Sequence, residues 1–330
     1  MAFSLFTPKN RTINLVINDH SIRYVEILRT NPLSIQKWRE HFLPPGIISD
    51  GKIVDYETLS TILQECIEDW KIHRRDLRFL VPDSLIIIRK ISVPADIQED
   101  EMGGYLYLEM GSSILLPFED PVFDYYPLKL HEQAKDVLLF AAPEKYVLEY
   151  ADLFTALKLN PIAADISPLA LYRLHHHLGK AREKEILFTV QFDITSVTIC
   201  IFEGAVPYVM RHFPLPFEME KWEIQRSENA TEYVYKGNQH EMLFQFEEIL
   251  KEITKLMDFY KYSLNNGKKE VASFLLNGDH PSLEIIFQEM REKFDIPVKI
   301  LSIDGNAQVK TDAVPSGHYL ALGLALKEVK

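Results

Sequence analysis

The stretch KISVPADIQEDEMGGYLYLEMGSSILLPFEDPVFDYYPLKL, Lys90 to Leu130, decides the reading of this chain. Ile86, Ile87, Ile88, Ile91 and Val93 form the β-branched run of a buried strand, and Pro94 stops it. Asp96 is placed to cap a following helix, with Glu99 three residues on as its capping-box partner. Met102, Tyr105, Leu106, Leu108 and Glu109 continue at helical spacing, although Gly103 and Gly104 each cost about 1 kcal/mol relative to alanine there. Pro117 is expected to end the helix, and Phe118-Glu119-Asp120 leads into an aromatic strand from Val122 to Tyr126. Strand, turn, helix, turn, strand is the pattern of a small α+β unit.

That ordered phrase resembles the inserted subdomain of the PilM family, actin-like proteins of type IV pilus assembly; FtsA, the actin-like division protein, carries a related insertion. The resemblance runs along nearly the whole chain and is most specific here and around Asp258-Phe259-Tyr260. It implies a two-lobed α/β actin-like fold of the actin, Hsp70 and sugar-kinase type. Residues 1–83 with 162–182 would form the first lobe and 84–161 the insertion. Residues 183–212 with 270–330 would form the second lobe, and 213–269 its subdomain.

The rest of the chain agrees with such a fold. At 330 residues it can bury two cores. Ile13–Ile17 and Ile22–Leu28 read as strands joined by Asn18-Asp19-His20-Ser21, with a third strand at Ser34–Phe42. Leu59, Ile62, Leu63, Cys66, Ile67 and Trp70 share one face of a helix. Glu185–Asp193 and Ser196–Phe202 repeat the strand-turn-strand opening. Leu243, Phe246, Leu250, Ile253, Met257 and Tyr260 mark a long amphipathic helix. Glu218–Gln239 reads as a loose hairpin whose clear strand is Glu232–Tyr235.

Thirty-six basic and 48 acidic residues give a net charge of −12, which argues against nucleic acid or anionic lipid as partner. Cys66 and Cys200 are isolated thiols in different elements and suit a reducing cytoplasm rather than a disulfide or zinc framework. MAFSLFTPKNR is too short in its apolar part for a secretory signal, and no segment reaches the roughly 18 uncharged residues of a membrane span. His175-His176-His177 ends a helix, where cations suit the dipole; consecutive residues do not share a metal-binding face.

Actin-like proteins cradle ATP with two Asp-x-Gly phosphate turns and a glycine-rich adenosine turn. Glycine lets backbone N–H groups approach phosphate, and the aspartates hold Mg²⁺ through its waters. Where the family reads Gly-Ile-Asp-Ile-Gly-Ser, this chain has Asn14, Leu15, Val16, Ile17, Asn18 and Asp19. In the second turn either Gln191 stands at the aspartate and Asp193 at the glycine, or Asp193 is the aspartate and Thr195 replaces the glycine. The third turn, Leu276-Asn277-Gly278-Asp279, keeps one glycine. If nucleotide binding were retained, Asn18, Asp19, His20, Ser21, Gln191, Asp193, Thr195, Asn277 and Gly278 would carry it. The eroded turns lead instead to the expectation of no ATP hydrolysis and no cofactor, with ATP and Mg²⁺ doubtful. G-x-S-x-G, H-E-x-x-H, P-loop and paired-cysteine motifs are all missing from the sequence, so no catalytic residue is assigned.

What the resemblance implies is a cytoplasmic scaffold of a pilus or related assembly machine, recruited to the membrane by a partner. It would dock the cytoplasmic tail of a PilN-like inner-membrane protein between the first lobe and the insertion. Coupling to the assembly ATPase, and a homo-oligomer or ring, are implied as well. Phe79, Val81, Tyr105, Leu108, Glu109, Leu116 and Phe118 are the candidate groove residues. The alternatives are an actin-like ATPase or kinase, disfavoured by the turns, and an FtsA-like division scaffold, disfavoured because no linker and anchor helix follow Leu324-Ala325-Leu326.

Overall fold

The computed structural model describes residues 12–130, 134–215, 221–226, 231–303, 307–309 and 314–328. The N-terminal stretch read above therefore lies outside the described residues. The first lobe opens with β1 (Thr12–Asn18), β2 (Ser21–Arg29) and β3 (Leu33–Phe42), an antiparallel meander in which β1 and β2 are buried on both faces along most of their length. A short hairpin, β4 (Ile48–Ser49) with β5 (Lys52–Ile53), leads to α1 (Tyr56–Trp70). Asp55 caps α1 by accepting from the Thr58 N–H at 3.0 Å, and Lys71 ends it in a left-handed conformation. Strand β6 (Asp76–Leu80) then pairs parallel to β1.

The insertion is β7 (Ile87–Pro94), α2 (Met102–Glu109), β8 (Pro121–Leu130) and β9 (Ala134–Pro143), a sheet in the order β7-β9-β8 with α2 on one face. The helix is shorter than expected at both ends. Residues 95–101 form turns, Glu101 rather than Asp96 stands at the cap, and the Glu101 carboxylate accepts from the Gln98 N–H. At the other end the Glu109 carbonyl accepts from the N–H groups of Ser112, Ser113 and Ile114, which turns the chain before Pro117.

Helix α3 (Glu144–Ala156) and β10 (Asn160–Asp165) return to the first lobe. Tyr150, Leu153 and Phe154 lie in the same core as α1 and β6, with Phe79 and Phe154 ring centroids 5.2 Å apart. The insertion thus ends near Pro143, not at 161, because α3 is the crossover between parallel β6 and β10. Helix α4 (Ser167–His177) follows.

The second lobe repeats the topology. Strands β11 (Ile186–Phe192), β12 (Ser196–Glu203) and β13 (Val206–Pro214) form a meander. Within 213–269, β14 (Trp222–Arg226) pairs with β15 (Thr231–Tyr235), and α5 (Gln239–Asp258) ends in a π-helical turn, Phe259–Leu264. Residues 216–220 and 227–230 of the expected hairpin lie outside the described residues. Strand β16 (Ser273–Asn277), α6 (Leu283–Lys293) and β17 (Val298–Ile300) complete a sheet in the order β13-β12-β11-β16-β17.

The C-terminal segment corrects the expected boundary. Strand β18 (Ala307–Val309) pairs parallel to β3, extending the first-lobe sheet to β10-β6-β1-β2-β3-β18. Helix α7 (Tyr319–Ala325) is buried all round and packs on α4, β1, β2 and β6. Residues 307–309 and 314–325 therefore belong structurally to the first lobe. Around α4 and α7 one apolar cluster joins the two lobes, from Val25 and Ile35 to Phe202 and Leu275.

Three histidines are buried as neutral groups. Burial pushes His175, His280 and His318 down to about 4, so His175 is not the helix-end cation that the sequence suggests. His318 shares a 3.1 Å hydrogen bond with the Arg39 carbonyl and lies against the Trp38 ring. An unfolded histidine titrates near 6.5, so the contribution of each is full above that pH and is lost as pH falls toward 4. The His318→Gln variant should lose stability less steeply than the parent between pH 6.5 and 4. Urea midpoints across that range measure the difference, and identical slopes would contradict a neutral His318.

Candidate functional site

The turns singled out in the sequence meet between the lobes. Asp19 and His20 form the tip of the β1–β2 hairpin, where Asn18 faces Ser21. The Asp19 carboxylate accepts from the N–H groups of Asp50 and Gly51 at 2.7 and 2.9 Å, so it pins the β4–β5 hairpin. From the second lobe come the β11–β12 turn, where Asp193 N–H bonds to the Ser196 carbonyl, and the loop after β16. In the buried interior Asn277 donates to Gln191 at 2.8 Å, and Gln191 donates to Asp193 at 2.6 Å. Thr195 contributes its carbonyl to the Leu215 N–H at 2.7 Å.

The centre of this assembly is a residue that the sequence reading quoted without assigning a role. Asp279 carries one carboxylate oxygen to the Ile194 N–H at 3.0 Å and the other to His20 at 2.6 Å and to the Arg23 guanidinium. Its own N–H donates to Asp193 at 3.2 Å. Arg23 also pairs with Glu40 at 2.6 Å. Burial disfavours the charged Arg23, but Asp279, Glu40 and Asp193 outweigh it and raise its pKa. Burial likewise disfavours the Asp279 anion, yet Arg23 and His20 hold it well below the usual carboxylate range. Asp193 is pushed the other way, by burial and by the Asp279 charge. One visible signal was available: Arg23 interrupts the apolar run Ile22, Tyr24, Val25 of a strand whose inner residues are all buried.

Beside the network is an inter-lobe cavity of about 340 Å³, at the low end for a ligand pocket. Asn18, Asp19, Asp50, Asp83, Asp193 and His212 are among its walls. Burial raises the Asp83 carboxyl, which accepts from the Ser167 hydroxyl. Among the described residues the cavity walls carry four carboxyl groups and one imidazole but no lysine or arginine, a poor cradle for a triphosphate. Gly278 leaves no room for a Cβ, which would stand 1.9 Å from the Phe192 carbonyl oxygen. The cleft residues bind one another. Among the described residues no His, Cys, Asp and Glu cluster is arranged to hold a metal ion.

The expected groove residues separate into two groups. Phe79 and Val81 are buried in the first-lobe core rather than on an exposed groove wall, which corrects their assignment. Tyr105 packs on the core of the insertion, and the Glu109 carboxylate accepts from the Ser113 hydroxyl of its own loop. Leu108, Leu116 and Phe118 line a groove of about 940 Å³ running from Tyr107 to Pro121, with Glu144 at its end. Leu108 is 78% exposed, Tyr107 67% and Leu115 64%, a contiguous apolar surface at the end of α2.

Two lobes of one topology, hinged on paired helices and carrying converging turns at their interface, define an actin-like protein. The chain also matches the family model described as type IV pilus assembly protein PilM over residues 15–213. It belongs to that family. Among solved structures, a PilM–PilN type IV pilus biogenesis complex is similar with a TM-score of 0.75, at 19% identity over 97% of this chain and 98% of that one. The ethanolamine utilization protein EutJ of Carboxydothermus hydrogenoformans superimposes at TM-score 0.49, with 11% identity over 95% of this chain and 88% of that one. MreB5 of Spiroplasma citri bound to ADP gives 0.48, with 9% identity over 96% and 95%.

Proposed function

We propose that this PilM-family protein is a docking scaffold that takes the tail of a PilN-like inner-membrane protein in the groove beside α2 and needs no ATP hydrolysis. The exposed apolar surface of Tyr107, Leu108 and Leu115 over that groove carries the reading. Extended peptides are captured where apolar pockets take alternate side chains, and this groove is apolar along the α2 end and charged at Glu119, Asp120 and Glu144. The polar network at the phosphate turns supports independence from nucleotide, because Asp279 already supplies Arg23 and the Ile194 N–H with an anion. No helix among the described residues is long and apolar enough to cross a membrane, so attachment through a partner suits the chain.

Calorimetric titration with the cytoplasmic tail peptide of a PilN-like protein from the same organism, and separately with Mg-ATP, tests the proposal. The peptide should bind in the micromolar range, about −8 kcal/mol, and Mg-ATP should give no binding heat. The Leu108→Asp variant should weaken the peptide by about tenfold or more, roughly 1.4 kcal/mol, because it puts a charge on the apolar wall. Tight ATP binding with no response to the peptide would overturn the scaffold reading.

A further inference from the structure

One wall of the groove beside α2 belongs to no helix or strand. The segment Leu115 to Glu119 gives it the side chains of Leu115, Leu116 and Phe118. Both ends of this segment are held. Before it, Ile114 is buried in the core of the insertion, and the Glu109 carbonyl accepts from three successive N–H groups. After it, the Asp120 carbonyl accepts from the Glu144 N–H at 2.9 Å. Between those ends, among the described residues, a single hydrogen bond reaches the backbone: the Arg89 guanidinium donates to the Leu115 carbonyl.

Strand β7 puts Arg89 in place for this bond. Ile91 and Val93, on the same alternating face of the strand, pack with α2 in the insertion core. Arg89 is the next residue along that face and stands opposite Leu139 of β9. With Lys90 it interrupts the apolar run of Ile86, Ile87, Ile88 and Ile91. Lys90 has a partner that explains it, Asp136 at 2.7 Å. Arg89 is exposed and has no carboxylate partner among the described residues, so its contact is the Leu115 carbonyl. Charged donors make the stronger hydrogen bonds. Without this one, a stretch of five residues is fixed only at its two ends, and ordering such a stretch on binding costs affinity.

We propose that Arg89 is a positioning residue of the docking groove: by holding the Leu115 carbonyl it keeps the segment Leu115 to Glu119 in the conformation that the partner tail meets. This rests on the reading of the groove as the docking site. Arg89 acts on the free protein, before the tail arrives. When the bond is lost the competent wall is populated only part of the time, and the apparent affinity falls by that fraction. The fall is in the rate of association. Once the tail is bound it touches the same apolar side chains, so its rate of departure stays the same. Residues that touch a partner directly behave in the opposite way, since losing their contacts mainly speeds dissociation.

The probe is the fluorescein-labelled cytoplasmic tail peptide of the PilN-like protein, mixed with the full chain in stopped-flow anisotropy measurements. Arg89→Met keeps the stem of the side chain and removes the donors. It should lower the association rate constant by about tenfold, change dissociation by less than about twofold, and leave the urea midpoint at the parent value. Arg89→Lys keeps a charged donor and should recover part of the lost rate. Leu108→Asp, which alters the wall itself, should speed dissociation instead. Parent association rates in Arg89→Met, with Leu108→Asp still weakened, would overturn the positioning role and leave the groove as the docking site. Faster dissociation at unchanged association would make Arg89 a direct contact of the tail, and equal losses in the methionine and lysine variants would remove the hydrogen bond as the cause; each overturns the proposal. A parent chain that ignores the peptide would overturn the groove reading and this inference with it.

Discussion

Replacing Arg23 with methionine should cost about 3–5 kcal/mol of folding stability, the cost of breaking a buried ion pair from one side. Methionine keeps much of the packing volume and removes only the guanidinium. Asp279, Glu40 and the neighbouring Asp193 would then face one another in a buried space whose remaining possible cation is His20. Replacing Asp279 with asparagine in the same chain should recover part of the loss, because the amide keeps an oxygen for the Ile194 N–H and removes the stranded charge. Equilibrium urea unfolding of the two variants and the parent measures both effects. A single-variant loss below about 1 kcal/mol would place Arg23 among ordinary surface pairs and dissolve the idea of an internal anion site. The size of the expected loss follows from position: the network spans the lobe interface, so it contributes to holding the two halves of the cleft in one arrangement.

The strands and the two amphipathic helices were legible because each buries one face, and burial writes a period into the sequence. Leu59, Leu63, Cys66 and Trp70 on α1, and Phe246, Leu250 and Ile253 on α5, are buried as their spacing requires. Where the residues failed to predict the structure, local and distant partners compete. Asp96 has capping chemistry, but Gly103 and Gly104 weaken the first turn of α2, and the helix begins only at Met102. Phe79 and Val81 read as groove residues because a strand beside the insertion alternates its faces; the side they take depends on α3, whose placement no local pattern gives. The apolar α7 announces burial without saying in which lobe. Asp279 was visible only as a turn residue, since its partners Arg23 and His20 are more than 250 positions away in the chain. The vacancy in the nucleotide motifs could be read from one turn at a time, whereas the contacts that fill their place could not.

The glycine retained in the third turn sharpens this distinction, and replacing it should have the largest effect of any single methyl addition in the cleft. Gly278 has φ +147°, a backbone region that L residues rarely enter, and an added Cβ would lie 1.9 Å from the Phe192 oxygen and 2.5 Å from its carbonyl carbon. The obstacle is backbone rather than a side chain that can turn aside. Relief would require the loop to move off β11, and that movement breaks the Asp279 N–H bond to Asp193, the Ile194 N–H bond to Asp279 and the His280 N–H bond to the Phe192 carbonyl. Gly278→Ala should therefore cost about 4 kcal/mol or more, through backbone strain and overpacking together. Gly204 provides the comparison: it also has positive φ, +57°, but nothing lies within 4 Å of its Cβ position. Its alanine variant should cost only about 1–2 kcal/mol, the price of a left-handed residue alone. Urea midpoints of the two variants decide the matter. Equal losses would mean that the loop yields to the added methyl and that its closure on β11 is not tight. A much larger loss at Gly278 would show that this turn needs its glycine, through its φ and through the close approach to β11 that delivers Asp279 to Arg23.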